Sequence, residues 1–315
     1  MSTLSTLRLG TAPDSWGVWF PSDPHQVTWQ TYLDEIARVG YVYTELGPSG
    51  FLPQDPNRLR EELGSRGLTV SGGTVFAGLH RGKEALVEAV AAFSKEARLL
   101  REVGAEYLIQ LPEQYTDLHG GGASGSSEIA PEQWRDLVEG TDALGRILFE
   151  EHGVKLVFHP HVDTHVDTQD RIERFLEDTD PEFVNLCLDT GHIAYCHGDN
   201  LDIVAKYPER VTYVHLKSVD PAVRDRALAE GLSLAEAVPL GVMCEPAYGE
   251  PDMPPLLEAI AKLDREIFAI IEQDLYPIAP ELPLTIGART AGYYAGCGLG
   301  PVRRWPAGSS VHPRH

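Results

Sequence analysis

The sequence predicts an α/β protein that folds as a single (β/α)8 TIM barrel. Three observations lead to this prediction: eight short apolar runs occur along the chain, most are followed by an amphipathic helical stretch, and no linker of different composition divides them. Such alternation is typical of a parallel sheet covered by helices. Eight strands favour a closed barrel, which takes about 250 residues, over an open sheet, and the chain has 315 residues.

The predicted strands are short runs rich in branched and aromatic residues. They cover residues 7–11, 41–46, 68–76, 106–111, 154–159, 184–188, 211–216 and 267–272. The predicted helices between them have the apolar spacing of an amphipathic helix, and several stop at a glycine. They cover residues 26–39, 56–66, 83–103, 131–152, 169–178, 201–207, 254–263 and 284–295.

Three further segments surround this core. An extra helical segment, 222–238, is expected between strands seven and eight. Residues 119–127 are rich in glycine and serine, so they form either a plain surface loop or a flexible lid over the strand ends. We assign residues 1–300 to the barrel and residues 301–315 to a C-terminal tail, which is mobile or contacts a neighbouring subunit of a homo-oligomer.

Composition excludes several classes of partner. The formal net charge of −21 argues against nucleic acid and anionic membranes, because both need a basic face. It suits a protein that binds neutral small molecules or cations. No run of about 18 apolar residues occurs, so no membrane span is predicted. The four cysteines form no C-x-x-C pair, which indicates reduced thiols and a cytoplasmic protein.

The chemistry is predicted where the strands end. The run L-D-T-G-H places Asp189 at the end of an apolar strand and His192 three residues later. Asp189 could simply cap the next helix, but three other strands also end in a nitrogen or oxygen donor: His159, His215 and Glu272. Because the carboxyl ends of barrel strands meet at one rim, these four side chains are expected to converge.

Two imidazoles and two carboxylates predict one bound divalent cation. Mn²⁺ or Co²⁺ is favoured, with Mg²⁺, Fe²⁺ and Zn²⁺ as alternatives, whereas Ca²⁺ prefers oxygen ligands alone. Four protein ligands leave open positions where a ketone oxygen and an adjacent hydroxyl can bind. A Lewis acid there favours removal of a proton next to a ketone, which leads to isomerisation, epimerisation or β-elimination.

Four catalytic residues are predicted around this cation. His161, two residues beyond His159, is a base, and His192 and Glu45 are further bases within reach. Lys217, at the end of strand seven, is expected to neutralise an oxyanion. Alternatives stay open: His161 can support the metal ligands or replace His159 among them, and Lys217 can be held in a salt bridge to an acid.

Three residues are predicted to bind the substrate. Trp16, with Trp19 near it, lies in a Pro/Gly-rich turn after strand one, and these rings either wall a pocket or cover the core. Glu113 and Gln114 directly follow strand four. Glu113 is in addition a candidate base.

The runs F-H-P-H, L-D-T-G-H, V-H-L-K and I-E-Q-D together resemble the xylose-isomerase-like TIM barrel superfamily of sugar isomerases and epimerases, and within it the inosose (2-keto-myo-inositol) dehydratases. The resemblance extends over residues 7–273. It matches Asp189, His215 and Glu272 to metal-binding positions, whereas His159 stands where many sugar epimerases have a metal-binding glutamate. A symmetric pair of glutamate bases is therefore missing, which favours a dehydratase. Ser218 departs from the expected pattern, because the resemblance leads us to expect Asp there, so the exact substrate stays open.

The resemblance implies a metal-dependent carbon–oxygen lyase of inositol and carbohydrate catabolism. The favoured reaction is dehydration of inosose, by α-proton abstraction and β-elimination through a metal-stabilised enolate. One alternative is a lyase that cleaves 3-keto-glycosides, as C-glycoside-cleaving relatives do with a small β-rich partner subunit. Others are a ketose isomerase or 3-epimerase, and a barrel that binds sugars without turnover.

Overall fold

The computed structural model describes residues 4–303, which form a closed barrel of eight parallel strands. Each strand pairs with the next one along the chain, and the last strand pairs with the first. The predicted (β/α)8 architecture is therefore confirmed. The strands are β1 (Leu7–Thr11), β2 (Tyr43–Pro48), β3 (Thr69–Ala77), β4 (Tyr107–Pro112), β5 (Lys155–Phe158), β6 (Val184–Asp189), β7 (Val211–Leu216) and β8 (Ile267–Ile271).

Helices pack around the outside of the barrel. They are α1 (Trp29–Val39), α2 (Pro56–Arg66), α3 (Lys83–Val103), α4 (Pro131–Ile147), α5 (Gln169–Asp178), α6 (Thr190–Tyr195), α7 (Asn200–Lys206), α8 (Pro221–Glu230), α9 (Leu234–Ala237), α10 (Met253–Ala261) and α11 (Pro283–Gly296). The extra helix expected at 222–238 is two helices, α8 and α9. Gly231 ends α8 with a left-handed φ of 67°, and the Ser233 side chain caps α9.

Capping residues explain why several helix bounds agree with the sequence pattern. The Thr28 side chain accepts a hydrogen bond from the backbone N–H of Thr31, at the start of α1. Asp55 caps α2 in the same way, by accepting from the backbone N–H of Arg58. Gly40 ends α1 at a φ of 106°, a conformation that glycine adopts without strain.

Two elements differ from the sequence prediction. The predicted helix 131–152 is regular only to Ile147, and its last five residues form a π-helical turn, Leu148–His152. Helix α6 is not among the predicted helices, because six residues are too few to show a helical period. It begins where the Asp189 side chain accepts hydrogen bonds from the backbone N–H groups of Gly191 and His192.

The inside of the barrel is filled by a layer of apolar side chains. On β5 to β8 these are Val157, Cys187, Tyr213 and Ile270. Residues two apart on a strand face the same side. The next inward positions on these strands are therefore 159, 189, 215 and 272, which are the four predicted metal ligands.

The chain after α11 returns to the amino end of the barrel. The backbone N–H of Arg303 donates to the carbonyl oxygen of Gly40 at 2.7 Å. The tail predicted for residues 301–315 lies outside the described residues from residue 304 onward. Within residues 4–303, we find no helix with the length and apolarity that a bilayer crossing requires.

Candidate functional site

The four predicted metal ligands converge at the carboxyl ends of β5 to β8. Their potential ligand atoms all lie within 4.8 Å of one another, and all four residues are buried. Nε2 of His159 is 3.3 Å from Oδ2 of Asp189, and Nδ1 of His215 is 2.9 Å from Oε2 of Glu272. Two imidazoles and two carboxylates at this spacing form a donor set that fits a divalent transition metal.

Asp189 caps a helix and at the same time faces the other three predicted ligands. Its Oδ1 atom accepts the backbone N–H groups of Gly191 and His192 at 2.9 and 2.8 Å, which caps α6. Its Oδ2 atom points to the other side, 3.6 Å from Nδ1 of His215. The helix cap therefore orients the carboxylate, and the second oxygen stays available to the metal site.

Glu45 orients one of the ligands. Its Oε1 atom accepts a hydrogen bond from Nε2 of His215 at 2.7 Å, and its Oε2 atom accepts one from the Thr74 hydroxyl at 3.2 Å. Such a carboxylate partner fixes the tautomer of a ligating imidazole and leaves the opposite nitrogen for a metal. The carboxylate that was predicted as a base is therefore placed behind the metal ligands, where it positions His215.

Lys217 lies next to the metal ligands and also lines the cavity above them. Its ammonium group is 2.8 Å from Oε2 of Glu272, 2.9 Å from Oδ2 of Asp274 and 3.3 Å from Oδ2 of Asp189. The salt bridge that the sequence left open is thus formed. A side chain at Gly191 would obstruct it, because a Cβ atom there would be 2.5 Å from Cγ of Lys217.

The charges in this cluster shift one another's pKa values. Burial alone lowers the pKa of Lys217, but Asp189, Asp274 and Glu272 outweigh it and raise the pKa well above its usual value. For Asp189, burial acts to raise the pKa, and Lys217 and His192 bring it well below the usual range. The lysine is therefore an ammonium group and Asp189 an ionised carboxylate at neutral pH.

His161 lines the same cavity, two positions beyond His159. Burial, with the nearby His159 and Lys217, lowers its pKa to about 3, so its ring is neutral at neutral pH. Nδ1 lies 2.7 Å from the carbonyl oxygen of Val162, which can only accept. Nδ1 therefore carries the hydrogen, and Nε2 keeps the lone pair that a base needs.

Gln114 contacts the His161 ring, as expected of a residue in the site. Its amide nitrogen is 3.0 Å from Nδ1 of His161, and the residue lines the cavity. His192 is buried, and its Nε2 is 3.0 Å from the Lys217 ammonium group. Its ring also contacts that of His161, with centroids 3.8 Å apart.

Two predicted substrate-binding residues are placed elsewhere. Trp16 is fully buried in the core, where its ring packs edge-on against Tyr32 and its Nε1 donates to Glu35 at 2.8 Å. It is a core residue, because the turn after β1 directs Trp16 inward and leaves Trp19 to line the cavity. Glu113 is also turned away, toward Arg81, whose Nε is 3.2 Å from its carboxylate.

Sequence reasoning missed two carboxylates of the cavity. Asp14 follows β1 by three residues, and Asp274 lies two beyond Glu272, at the next inward position; both line the cavity. Burial raises the pKa of Asp14 well above its usual value, and the negative charges of Glu272 and Asp274 add to the effect. The two-residue period after Glu272 was a signal for Asp274. Asp14 lies in a single 3₁₀ turn, Pro13–Trp16, and has no such signal.

The segment after β4, residues 113–127, packs over one side of the cavity. Leu118 lines the cavity, and the neighbouring His119 ring stacks on Phe20 with centroids 4.1 Å apart. Asp163 holds the segment in place: its carboxylate accepts the Thr116 hydroxyl at 2.9 Å and the backbone N–H of Leu234 at 2.8 Å. The part of the segment that lines the cavity thus precedes the glycine-rich run, of which residues 122–127 are exposed.

Comparison with known proteins gives a family match and close sequence relatives. The description "xylose isomerase-like TIM barrel" matches residues 33–287. An inosose dehydratase of Geobacillus kaustophilus (strain HTA426) is 32% identical over 282 residues, which is 87% of this chain and 90% of that protein. An inosose dehydratase of Salmonella typhimurium (strain LT2) is 34% identical over 219 residues, 68% of this chain and 71% of that protein.

Solved structures agree on the fold. A crystal structure of IolI protein with a binding zinc atom superimposes with a TM-score of 0.68 at 14% identity, covering 90% of this chain and 96% of the other. A D-psicose 3-epimerase from Clostridium cellulolyticum H10, with D-tagatose, has a TM-score of 0.67 at 14% identity, covering 92% and 98%. At these identities the structures support the barrel alone.

Proposed function

The chain belongs to the xylose isomerase-like TIM barrel family, and from its site we propose that it is a metal-dependent lyase that dehydrates inosose, a cyclic keto-polyol. The observation that carries the proposal is the convergence of His159, Asp189, His215 and Glu272 within 4.8 Å, beside a neutral imidazole in the same cavity. Relatives named inosose dehydratase, 30% to 34% identical, support the choice of substrate.

The four converging residues would hold one divalent cation. Mn²⁺ and Co²⁺ are our first choices, because a mixed nitrogen and oxygen donor set suits both. When bound, the cation would supply Lewis-acid chemistry, polarising a ketone oxygen and making the neighbouring C–H bond more acidic. The remaining steps fall to side chains of this chain that line the cavity.

His161 would remove the α-proton. Its ring is neutral, Nδ1 is held against the Val162 carbonyl oxygen, and the residue lies two positions beyond a metal ligand. Loss of this proton and departure of the hydroxyl group from the β-carbon form a C=C bond and release water. A general base placed in this way contributes a factor of about 10²–10⁴ to the rate.

Lys217 and Asp14 would interact with oxygen atoms of the substrate. The Lys217 ammonium group would neutralise negative charge that develops on oxygen as the α-proton leaves. Asp14 would protonate the departing hydroxyl group, because burial and its acidic neighbours raise its pKa and so favour the protonated form. Both side chains line the cavity above the metal ligands.

One experiment tests the reaction. The protein is loaded with Mn²⁺ or Co²⁺ and incubated with scyllo-inosose in D₂O. The 1,2-diketone product is followed by the absorbance of its enol form, and NMR reports deuterium at the α-carbon. We expect elimination that stops when the metal is chelated. Deuterium exchange accompanied by interconversion of the sugar would instead show an epimerase. The absence of both elimination and exchange would refute the proposal.

A further inference from the structure

The cavity above the metal ligands has two unlike parts. Its inner part is polar and contains the metal ligands, Lys217, Asp14 and Asp274. Its outer part is formed by apolar side chains from the carboxyl ends of β2, β3 and β4 and from the segments after β1, β4 and β7. They are Trp19, Pro48, Phe76, Leu111, Leu118 and Leu234.

Few polar side chains lie near these apolar residues. They are Thr74, whose hydroxyl donates to Glu45, and Gln114, whose amide nitrogen is 3.0 Å from Nδ1 of His161. A substrate hydroxyl placed in the outer part would therefore lose water and find few hydrogen-bond partners. Inosose carries oxygen on every ring carbon, so it can use the inner part but has no group that suits the outer part.

Phe76 shows that the outer part is open to a ligand. It lies on β3 two positions beyond Thr74, so its ring is on the inner side of the barrel, yet 47% of the residue is exposed. A large aromatic ring at a cavity mouth marks a contact for an apolar group. On the other side of the mouth the Trp19 ring packs against Tyr276, with centroids 5.3 Å apart, which holds its position.

We propose that the outer part is a second subsite, which binds an apolar substituent, aryl or alkyl, carried by a keto-polyol ring whose ketone is at the metal ligands. This inference rests on the proposed function, because it takes the ketone to be bound at those ligands. It extends the substrate class beyond unsubstituted inososes. The substituent packs among Phe76, Trp19 and Leu118 while the hydroxylated ring occupies the polar part.

A matched pair of ligands tests the subsite. Methyl and phenyl 3-keto-β-D-glucopyranoside have the same ring and ketone and differ in the apolar substituent alone. Their dissociation constants are measured by calorimetry on the Mn²⁺-loaded protein. We expect the phenyl compound to bind at least tenfold more tightly. Equal affinity, or failure of both compounds to bind, overturns the inference.

A variant tests whether the Phe76 side chain causes the preference for the phenyl compound. Phe76→Ala is expected to reduce the methyl-to-phenyl ratio of dissociation constants by at least threefold. Phe149→Ala is the matched control, since Phe149 is also 47% exposed but lies in the π-helical turn before β5, at the opposite end of the barrel. We expect it to leave the ratio unchanged. An unchanged ratio in Phe76→Ala refutes the subsite, whatever the wild-type preference.

The proposed function is tested independently of the subsite. Deuterium exchange next to the ketone of the methyl compound, together with scyllo-inosose conversion, reports the reaction. Equal affinities with exchange refute the subsite and support the function. A tenfold preference for the phenyl compound, without exchange and without inosose conversion, supports the subsite and refutes the function.

Discussion

The two halves of the barrel rim contribute different chemistry. Strands β5 to β8 supply all four candidate metal ligands, and their next inward positions supply His161, Lys217 and Asp274. The carboxyl ends of β2 to β4 and the segments after β1 and β4 supply most of the apolar wall, including Phe76 and Trp19. Under the two proposals, the first half would hold and activate the ketone, and the second would bind the group attached to its ring.

The halves also differ in the interactions that hold their side chains: ion pairs on one side and ring packing on the other. On the β5–β8 side, Lys217 lies within 3.3 Å of three carboxylates. The apolar wall is held by ring packing and by the segment after β4. Substitutions in the first half should therefore remove metal binding or turnover, whereas substitutions in the second should change affinity or leave the reaction intact.

The largest effect is expected for Glu272→Ala. Removing one of four metal ligands should lower Mn²⁺ affinity by more than the roughly 10–100-fold that loss of an outer-shell contact costs, and dehydration should vanish with it. Calorimetry with Mn²⁺ measures this. Glu266→Ala is the control, because Glu266 directly precedes the same strand and pairs with Arg8 far from the metal ligands. Metal binding that survives Glu272→Ala would contradict the four-residue site.

His161→Ala separates turnover from metal binding. The variant should keep its Mn²⁺ affinity and lose a factor of about 10²–10⁴ in kcat, because the base is gone while the ligands remain. Steady-state kinetics and calorimetry on the same sample check both quantities. His159→Ala should instead lose the metal. If the two variants behave in the opposite way, His161 is the ligand and the assignment must be reversed.

Glu45→Gln tests whether the β1–β4 half supports the metal site. The His215 ring would lose its carboxylate partner, and Mn²⁺ affinity should fall by roughly 10–100-fold. A suitable control is Glu96→Gln, which changes a buried glutamate that accepts a hydrogen bond from Ser49 away from the site. Equal losses in the two variants would indicate general destabilisation.

Trp16→Phe should have the smallest effect on the reaction. It removes the hydrogen bond to Glu35, so the free energy of unfolding should fall by about 1–3 kcal/mol, with KM and kcat unchanged. Urea unfolding and steady-state kinetics measure the two. Trp19→Phe should do the reverse, changing KM with little loss of stability. If Trp16→Phe changes KM and Trp19→Phe does not, Trp16 belongs to the substrate site.

The positions of the four candidate metal ligands could be predicted because they follow from the two-residue alternation of side chains along each strand. Each of 159, 189, 215 and 272 lies two positions beyond an apolar residue that fills the barrel, and the period of a strand sets which side each residue faces. The position of each strand along the chain sets its place in a closed parallel barrel. Strand order and strand period together bring the four donors to one point.

Several other side chains could not be placed in this way. Glu45 faces inward, but only barrel closure brings it to 2.7 Å from His215, 170 residues away in the chain. Trp16 and Trp19 lie in the same turn, and the loop conformation decides which ring enters the core. Asp14 also lies after a strand, in the 3₁₀ turn Pro13–Trp16, whose orientation no short-range pattern specifies.

The amino-acid sequence by itself determined the eight alternating strands and helices and the four donors at neighbouring strand ends, because these follow from periodicity within short segments. The tertiary structure alone decided that Glu45 positions a ligand, that Lys217 joins three carboxylates, and that an apolar wall stands opposite the metal ligands. Those features depend on contacts between residues far apart in the chain, and such contacts exist only once the barrel closes.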